Sequence, residues 1–189
     1  MSANDQVEYR LFYGIYTTHW FENFGTFANQ KYLLVNEYIS DGCLTIDSSE
    51  ASVTHDFLYP SAIKKTYFIE GRIEGHITLA SSECTAHATD YTVEVWKMNE
   101  DNSSTLLATT GARTIDWDFG WDAAYSVPDA DTGDVVFPFF IDVTEEKELG
   151  EHDRIFVRVI VTCDSCCHLM HSNDSSWEDL KVDIPFRLG

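Results

Sequence analysis

Cys163, Cys166, Cys167, His168 and His171 bring five thiol and imidazole side chains within nine residues. Thiolates and imidazoles are the ligands zinc prefers, and Cys-x-x-Cys supplies half of a tetrahedral site. The other half normally lies a dozen or more residues away, so folding would have to carry in Cys43 or Cys84. The spacing leaves two readings open: a metal site on Cys163, Cys166, His168 and His171, or a strand-end loop of small residues and free thiols.

A second set, Asp129, Asp131 and Asp134 around Gly133, places hard oxygen ligands at the first, third and sixth positions of an acidic turn. It matches part of a calcium loop but lacks the bidentate glutamate, and its flanks are β rather than helical. The other reading is a plain acidic turn. Trp117 and Trp121, set among Asp116, Asp118 and Asp122, offer flat rings for a sugar and carboxylates for its hydroxyls. The same pair suits the end of a core or a subunit contact. No cofactor is expected, with zinc and calcium the alternatives at the two clusters.

Catalytic constellations do not form from the spacing. Glu70 and Glu74 share a face, but residues four apart in a strand are about 13 Å apart, too far for either glycosidase geometry. Glu94 is expected on a neighbouring strand, with Arg72 making a cross-strand charge ladder. Gly-x-Ser-x-Gly, phosphate-cradling glycine loops and His-Glu-x-x-His do not occur in the sequence. The expectation is a protein that is not an enzyme.

The elements that must position these residues are extended. From Tyr67 to Leu79 every second residue is apolar or glycine, and the alternate set is Phe68, Glu70, Arg72, Glu74, His76 and Thr78. A period of two belongs to a strand with one buried and one wet face. Similar alternation over Tyr9–Ile15, Tyr91–Trp96, Ile155–Val161 and Leu180–Leu188 predicts further strands. Thr105–Thr109 should return as a hairpin after the turn at Asn99–Ser104. Val135–Val143 reads as a strand buried on both faces, with Pro138 requiring an edge or a bulge. Thr144–Leu149 reads as a helical turn closed by Gly150. Trp20, Phe24 and Phe27 fit one apolar helix stripe, weakened by Gly25. Eight or nine strands with little helix predict an all-β, antiparallel two-sheet sandwich, jelly-roll-like.

The chain of 189 residues suits one domain, with residues 1–60 an aromatic-rich segment and 61–189 the sandwich. The segment is expected to join the same core or to dock on a neighbouring subunit. With 12 basic against 32 acidic residues the net charge is −20. That charge opposes direct binding to nucleic acid or anionic membranes and keeps the chain soluble. It fits an ordinary acidic protein or one adapted to salt, where screening relieves self-repulsion. No basic, apolar leader follows Met1 and the cysteines are odd in number, which predicts synthesis in a reducing cytosol.

Over its last hundred residues the chain resembles the jelly-roll or related sandwich domains of virion proteins from tailed bacteriophages and archaeal viruses. The strand rhythm of Tyr91–Lys97, Thr105–Thr109, Phe137–Val143, Leu149–Val159 and Leu180–Phe186 carries the resemblance. It implies a virion structural protein, a capsid, decoration, tail or neck component, assembled in the host cytoplasm. Its partners would be other virion proteins or copies of itself in a homo-oligomer. The resemblance transfers no functional residue, because such domains work through whole surfaces. The alternative is a carbohydrate-binding sandwich module using Trp117 and Trp121.

Overall fold

The computed structural model describes residues 5–13, 32–35, 44–48, 52–59, 61–81, 88–115, 126–127, 133–163, 167–171 and 181–188. Every regular element among them is a strand. In chain order these are β1 (Asp5–Tyr13), β2 (Tyr32–Val35), β3 (Leu44–Ser48), β4 (Ser52–Leu58), β5 (Tyr67–Ser81), β6 (Ala88–Met98) and β7 (Ser104–Thr109). They continue as β8 (Arg113–Thr114), β9 (Ser126–Val127), β10 (Gly133–Leu149), β11 (Arg154–Cys163), β12 (Cys167–His171) and β13 (Lys181–Leu188).

The strands form an all-β, antiparallel two-sheet sandwich. In the first layer β5 has β10 along one side, and on its other side β13 and then β12. Strand β13 leads on to β1 and β2, β12 pairs with β3, and β9 caps one end of β10. In the second layer β11 lies between β4 and β6, and β6 also receives β7 and β8. The layers are joined through one parallel bridge, Leu33 of β2 with Leu58 of β4.

Alternation explains why the layers close on each other. Ile69, Ile73 and Ile77 of β5, with Val182 and Ile184 of β13, meet Val93 and Val95 of β6 and Val157, Val159 and Val161 of β11 in one buried cluster. β-Branched side chains at period two suit a pleated, half-buried surface. Tyr91 ties the layers together at one end. Its ring lies 6.2 Å from that of Phe137, and its hydroxyl donates to the carbonyl of Pro138 at 3.3 Å. Burial raises the Tyr91 pKa above the usual phenol range.

Three expectations need correction. The residues expected to form a helical turn, Thr144–Leu149, continue β10. They do so through a bulge, because the register jumps between Val143, opposite Gly71, and Lys147, opposite Ile69. Gly71 takes φ 110° there, a conformation that side-chain-bearing residues rarely adopt. The following turn is closed by Asp153, whose carboxylate accepts the Gly150 N–H at 2.8 Å. Second, β10 is not buried on both faces: Phe139, Ile141 and Val143 are, whereas Phe140 is 50% exposed. Third, the described residues form thirteen strands where about eight or nine were expected, the excess including short partners such as β8 and β9.

The predicted hairpin of β6 and β7 forms. Its turn is locked by Asn99 N–H to the Ser103 carbonyl, 2.8 Å, and by Asn102 N–H to the Asn99 carbonyl, 2.9 Å. The strands before residue 60 pair with later ones: β1 with β13, β3 with β12 and β4 with β11. The Trp20, Phe24 and Phe27 stripe lies outside the described residues.

Candidate functional site

The outward side chains of β5 are Phe68, Glu70, Arg72, Glu74 and His76, as the period of two dictates. Register supplies their neighbours. Asp142 lies opposite Arg72, Phe140 opposite Glu74 and Pro138 opposite His76 on β10. On β13, Asp183 lies opposite Glu74, and Arg187 lies opposite Phe68.

Arg72 and Asp142 meet as a two-pronged pair, Nε to Oδ1 at 2.9 Å and Nη2 to Oδ2 at 3.4 Å. This hydrogen bonding holds Arg72 charged above its usual range. Arg187 bonds Glu146 and approaches Glu70 at 4.0 Å. The charge ladder expected along β5 therefore exists, but its partners differ from the expected one. Glu94 is in the other layer, on β6, because β6 pairs with β11 and not with β5.

On the His76 side of the Arg72–Asp142 pair lies a shallow depression of about 420 Å³ whose walls include Arg72, Glu74, His76, Pro138, Phe140 and Asp183. Phe140 stands at its edge with the Arg72 guanidinium 4.7 Å and the Arg113 guanidinium 5.9 Å from the ring centre. The depression brings together an aromatic surface, fixed donors and two carboxylates.

The outer face of the second layer is organised differently. Asp56 of β4 and Arg158 of β11 sit in register and form a bidentate pair, Nε to Oδ1 at 2.5 Å and Nη2 to Oδ2 at 2.8 Å. Asp56 is buried and Arg158 mostly so, with side-chain exposures of 8% and 29%. The Asp56 hydrogen bond raises the Arg158 pKa above its usual range. Arg158 also covers the stacked rings of Trp96 and Phe156, which lie 5.9 Å apart at 8°. Phe156, Leu58 and Met98 make a second apolar cluster on this outward face. The Trp96 indole N–H donates to Glu94 at 2.8 Å.

On the inward side of β4, His55 lies opposite Val159 and is 6% exposed. Burial pulls its pKa down from 6.5 to about 4, against the attraction of Asp56. The imidazole is thus neutral across the physiological range.

The clusters singled out by spacing fall at the margins of the described structure. Cys163 ends β11, opposite Ala88, while Cys166 lies outside the described residues. His168 and His171 belong to β12, in register with Asp47 and Leu44 of β3. That segment is a strand from Cys167 onward, where a loop was expected. Asp134 is a β10 residue paired with Ala80 and Val127, and Asp129 and Asp131 lie outside the described residues. Trp117 and Trp121 lie outside them as well. Among the described residues, no group of three or more His, Cys, Asp or Glu is placed to hold a metal ion.

The depression at Phe140 escaped the sequence because both faces of Val135–Val143 look apolar. The signal that could have found it is the neighbour pattern. An aromatic flanked by Pro138 and Asp142, facing Glu74 of the amphipathic strand, belongs to the wet side.

No protein-family model and no curated protein matches this sequence. Similarity appears at the level of solved structures. Two crystal structures of a CocE/NonD family hydrolase from Staphylococcus aureus superpose with TM-scores of 0.52 at 12% sequence identity. The matches cover 94% and 95% of this chain but 36% of the hydrolase in each case, so the chain spans about a third of that protein's length. At this identity the likeness is one of fold.

Proposed function

We propose that this protein is a non-enzymatic structural component that works through its sandwich faces, assembling with other proteins or with copies of itself. The specific form of the proposal is a virion structural protein, of the kind its strand rhythm resembles.

The observation that carries the reading is how the described charged side chains are used. Arg72 with Asp142, Arg158 with Asp56 and Arg187 with Glu146 are cross-strand pairs that stiffen the two outer faces. Two stiff faces on a continuous core are what an assembly unit needs, since a preorganised surface loses little conformational entropy on docking. The structural comparison is compatible with such a role, because a sandwich of this form occurs as about a third of a larger protein.

Mass measurement of the purified chain by light scattering tests the proposal, together with co-sedimentation with particles from a producing host. A discrete symmetric oligomer, or incorporation into particles, is the expected result. A strict monomer that enters no particle would count against it.

A further inference from the structure

We propose that the depression beside Phe140 is a binding site for a neutral, polyhydroxylated ring, that is, a saccharide. The proposal rests neither on Trp117 and Trp121 nor on the assembly role.

For a cationic ligand the Phe140 ring offers little, because the Arg72 and Arg113 guanidinium groups already approach it at 4.7 Å and 5.9 Å. An anionic ligand is disfavoured because Glu74 and Asp183 line the depression on a chain of net charge −20. A neutral ligand remains, and it must satisfy both donors and acceptors.

Arg72 uses two of its five N–H donors on Asp142, which fixes the guanidinium plane and leaves donors to aim at a ligand oxygen. The carboxylates of Glu74 and Asp183 supply acceptor lone pairs. These two residues share one cross-strand row with Phe140, as Phe140 faces Glu74 and Glu74 faces Asp183. Adjacent strands are about 4.8 Å apart, so the acceptors step away from the aromatic ring in roughly 5 Å increments.

A sugar ring has the matching chemistry. Its C–H face packs on an aromatic surface, and its rim carries hydroxyls that both donate and accept. Phe140 remains 50% exposed with both guanidinium groups beside it, and the area they leave open is the surface offered. The volume of about 420 Å³ lies within the range of small-molecule sites. Because the depression is open, weak affinity is expected, in the millimolar range of a single stacked ring, about −4 kcal/mol.

The test uses the full chain and a panel of neutral mono- and disaccharides: glucose, galactose, mannose, maltose and cellobiose. Ligand-observed NMR identifies binders, and titration gives affinities. At least one sugar should bind. Phe140→Ala should weaken it about tenfold, Glu74→Gln should weaken it several-fold, and Phe140→Trp should preserve or strengthen it. Both positions are exposed, and an unchanged thermal midpoint verifies that each variant is folded. Affinity should be the same at 50 mM and 500 mM NaCl, as the screening of charges does not affect a neutral ligand.

The proposal is overturned if no sugar in the panel binds, or if the folded Phe140→Ala variant binds like the parent. It is overturned equally by binding that vanishes only in a Trp117→Ala, Trp121→Ala variant, or by affinity that falls steeply with salt.

Discussion

His55 should take stability away from this protein as the pH falls. Its imidazole is packed on the inward side of β4, opposite Val159, and its pKa falls from 6.5 to about 4 because burial penalises the charged form. In the unfolded chain the ordinary value returns. Below pH 6.5 the unfolded state therefore takes up a proton that the folded state refuses, so stability is lost as pH falls from 6.5 toward 4. Between pH 7.5 and pH 5 the loss attributable to this residue is about 2 kcal/mol, and it approaches about 3 kcal/mol below pH 4. Other groups titrate over the same interval. Relief of self-repulsion in a chain of net charge −20 also acts in the opposite direction. The measurement must therefore be a difference. Urea unfolding of the parent and of His55→Gln, at pH 7.5, 6.5, 5.5 and 5, isolates the residue. The variant should be the less stable protein at neutral pH and should regain about 2 kcal/mol relative to the parent by pH 5. A gap between the two proteins that stays constant within about 0.5 kcal/mol would refute the reasoning, since it would mean that His55 titrates alike folded and unfolded.

Other outcomes follow from the same geometry. Arg158→Met strands the buried Asp56 carboxylate and should cost about 3 kcal/mol, whereas Arg72→Met, whose pair is more than half exposed, should cost less than about 1 kcal/mol. Chemical denaturation of the two variants compares them directly, and equal losses would contradict the assignment. Gly71→Ala forces a Cβ onto a residue at φ 110° in the β10 bulge and should destabilise by about 1–3 kcal/mol, read as a lower thermal midpoint. Ile73→Ala, at a fully buried position of β5, should cost about 2–5 kcal/mol by urea unfolding.

The strands that could be read from the sequence are those with one wet face. β5 alternates so regularly that its buried set, Ile69, Ile73 and Ile77, follows from period two alone. β6, β11 and β13 were readable for the same reason. Misreadings occurred where both sets of alternate residues are apolar. In β10 the pattern could not tell Phe140 from Phe139, because only the partner strand determines which face meets water. In β11 the outward Phe156 is buried by Trp96 and its neighbours, an arrangement that no local pattern encodes. The bulge after Val143 reads as a helical turn because Glu145, Glu146 and Lys147 are good helix formers, and pairing with β5 overrides that preference. Ion pairs were predicted in kind but not in partner. Glu94 lies on the opposite layer from Arg72 since strand order, unlike strand identity, is a long-range property.

The placement of β13 has a consequence for how the molecule is made. This ribbon is the centre rung of its layer, holding β5 on one flank and β1 on the other, so Tyr9 waits for Val182. During translation the earlier β5–β10 pair can zip as soon as it emerges, but the Tyr67–His76 part of the other flank of β5 stays bare until Lys181–Leu188 leaves the ribosome. Such distant closure favours slow maturation and leaves an adhesive ledge on nascent chains. Production at reduced temperature, or supply of the missing ribbon as a peptide in trans, should raise the soluble yield of this protein.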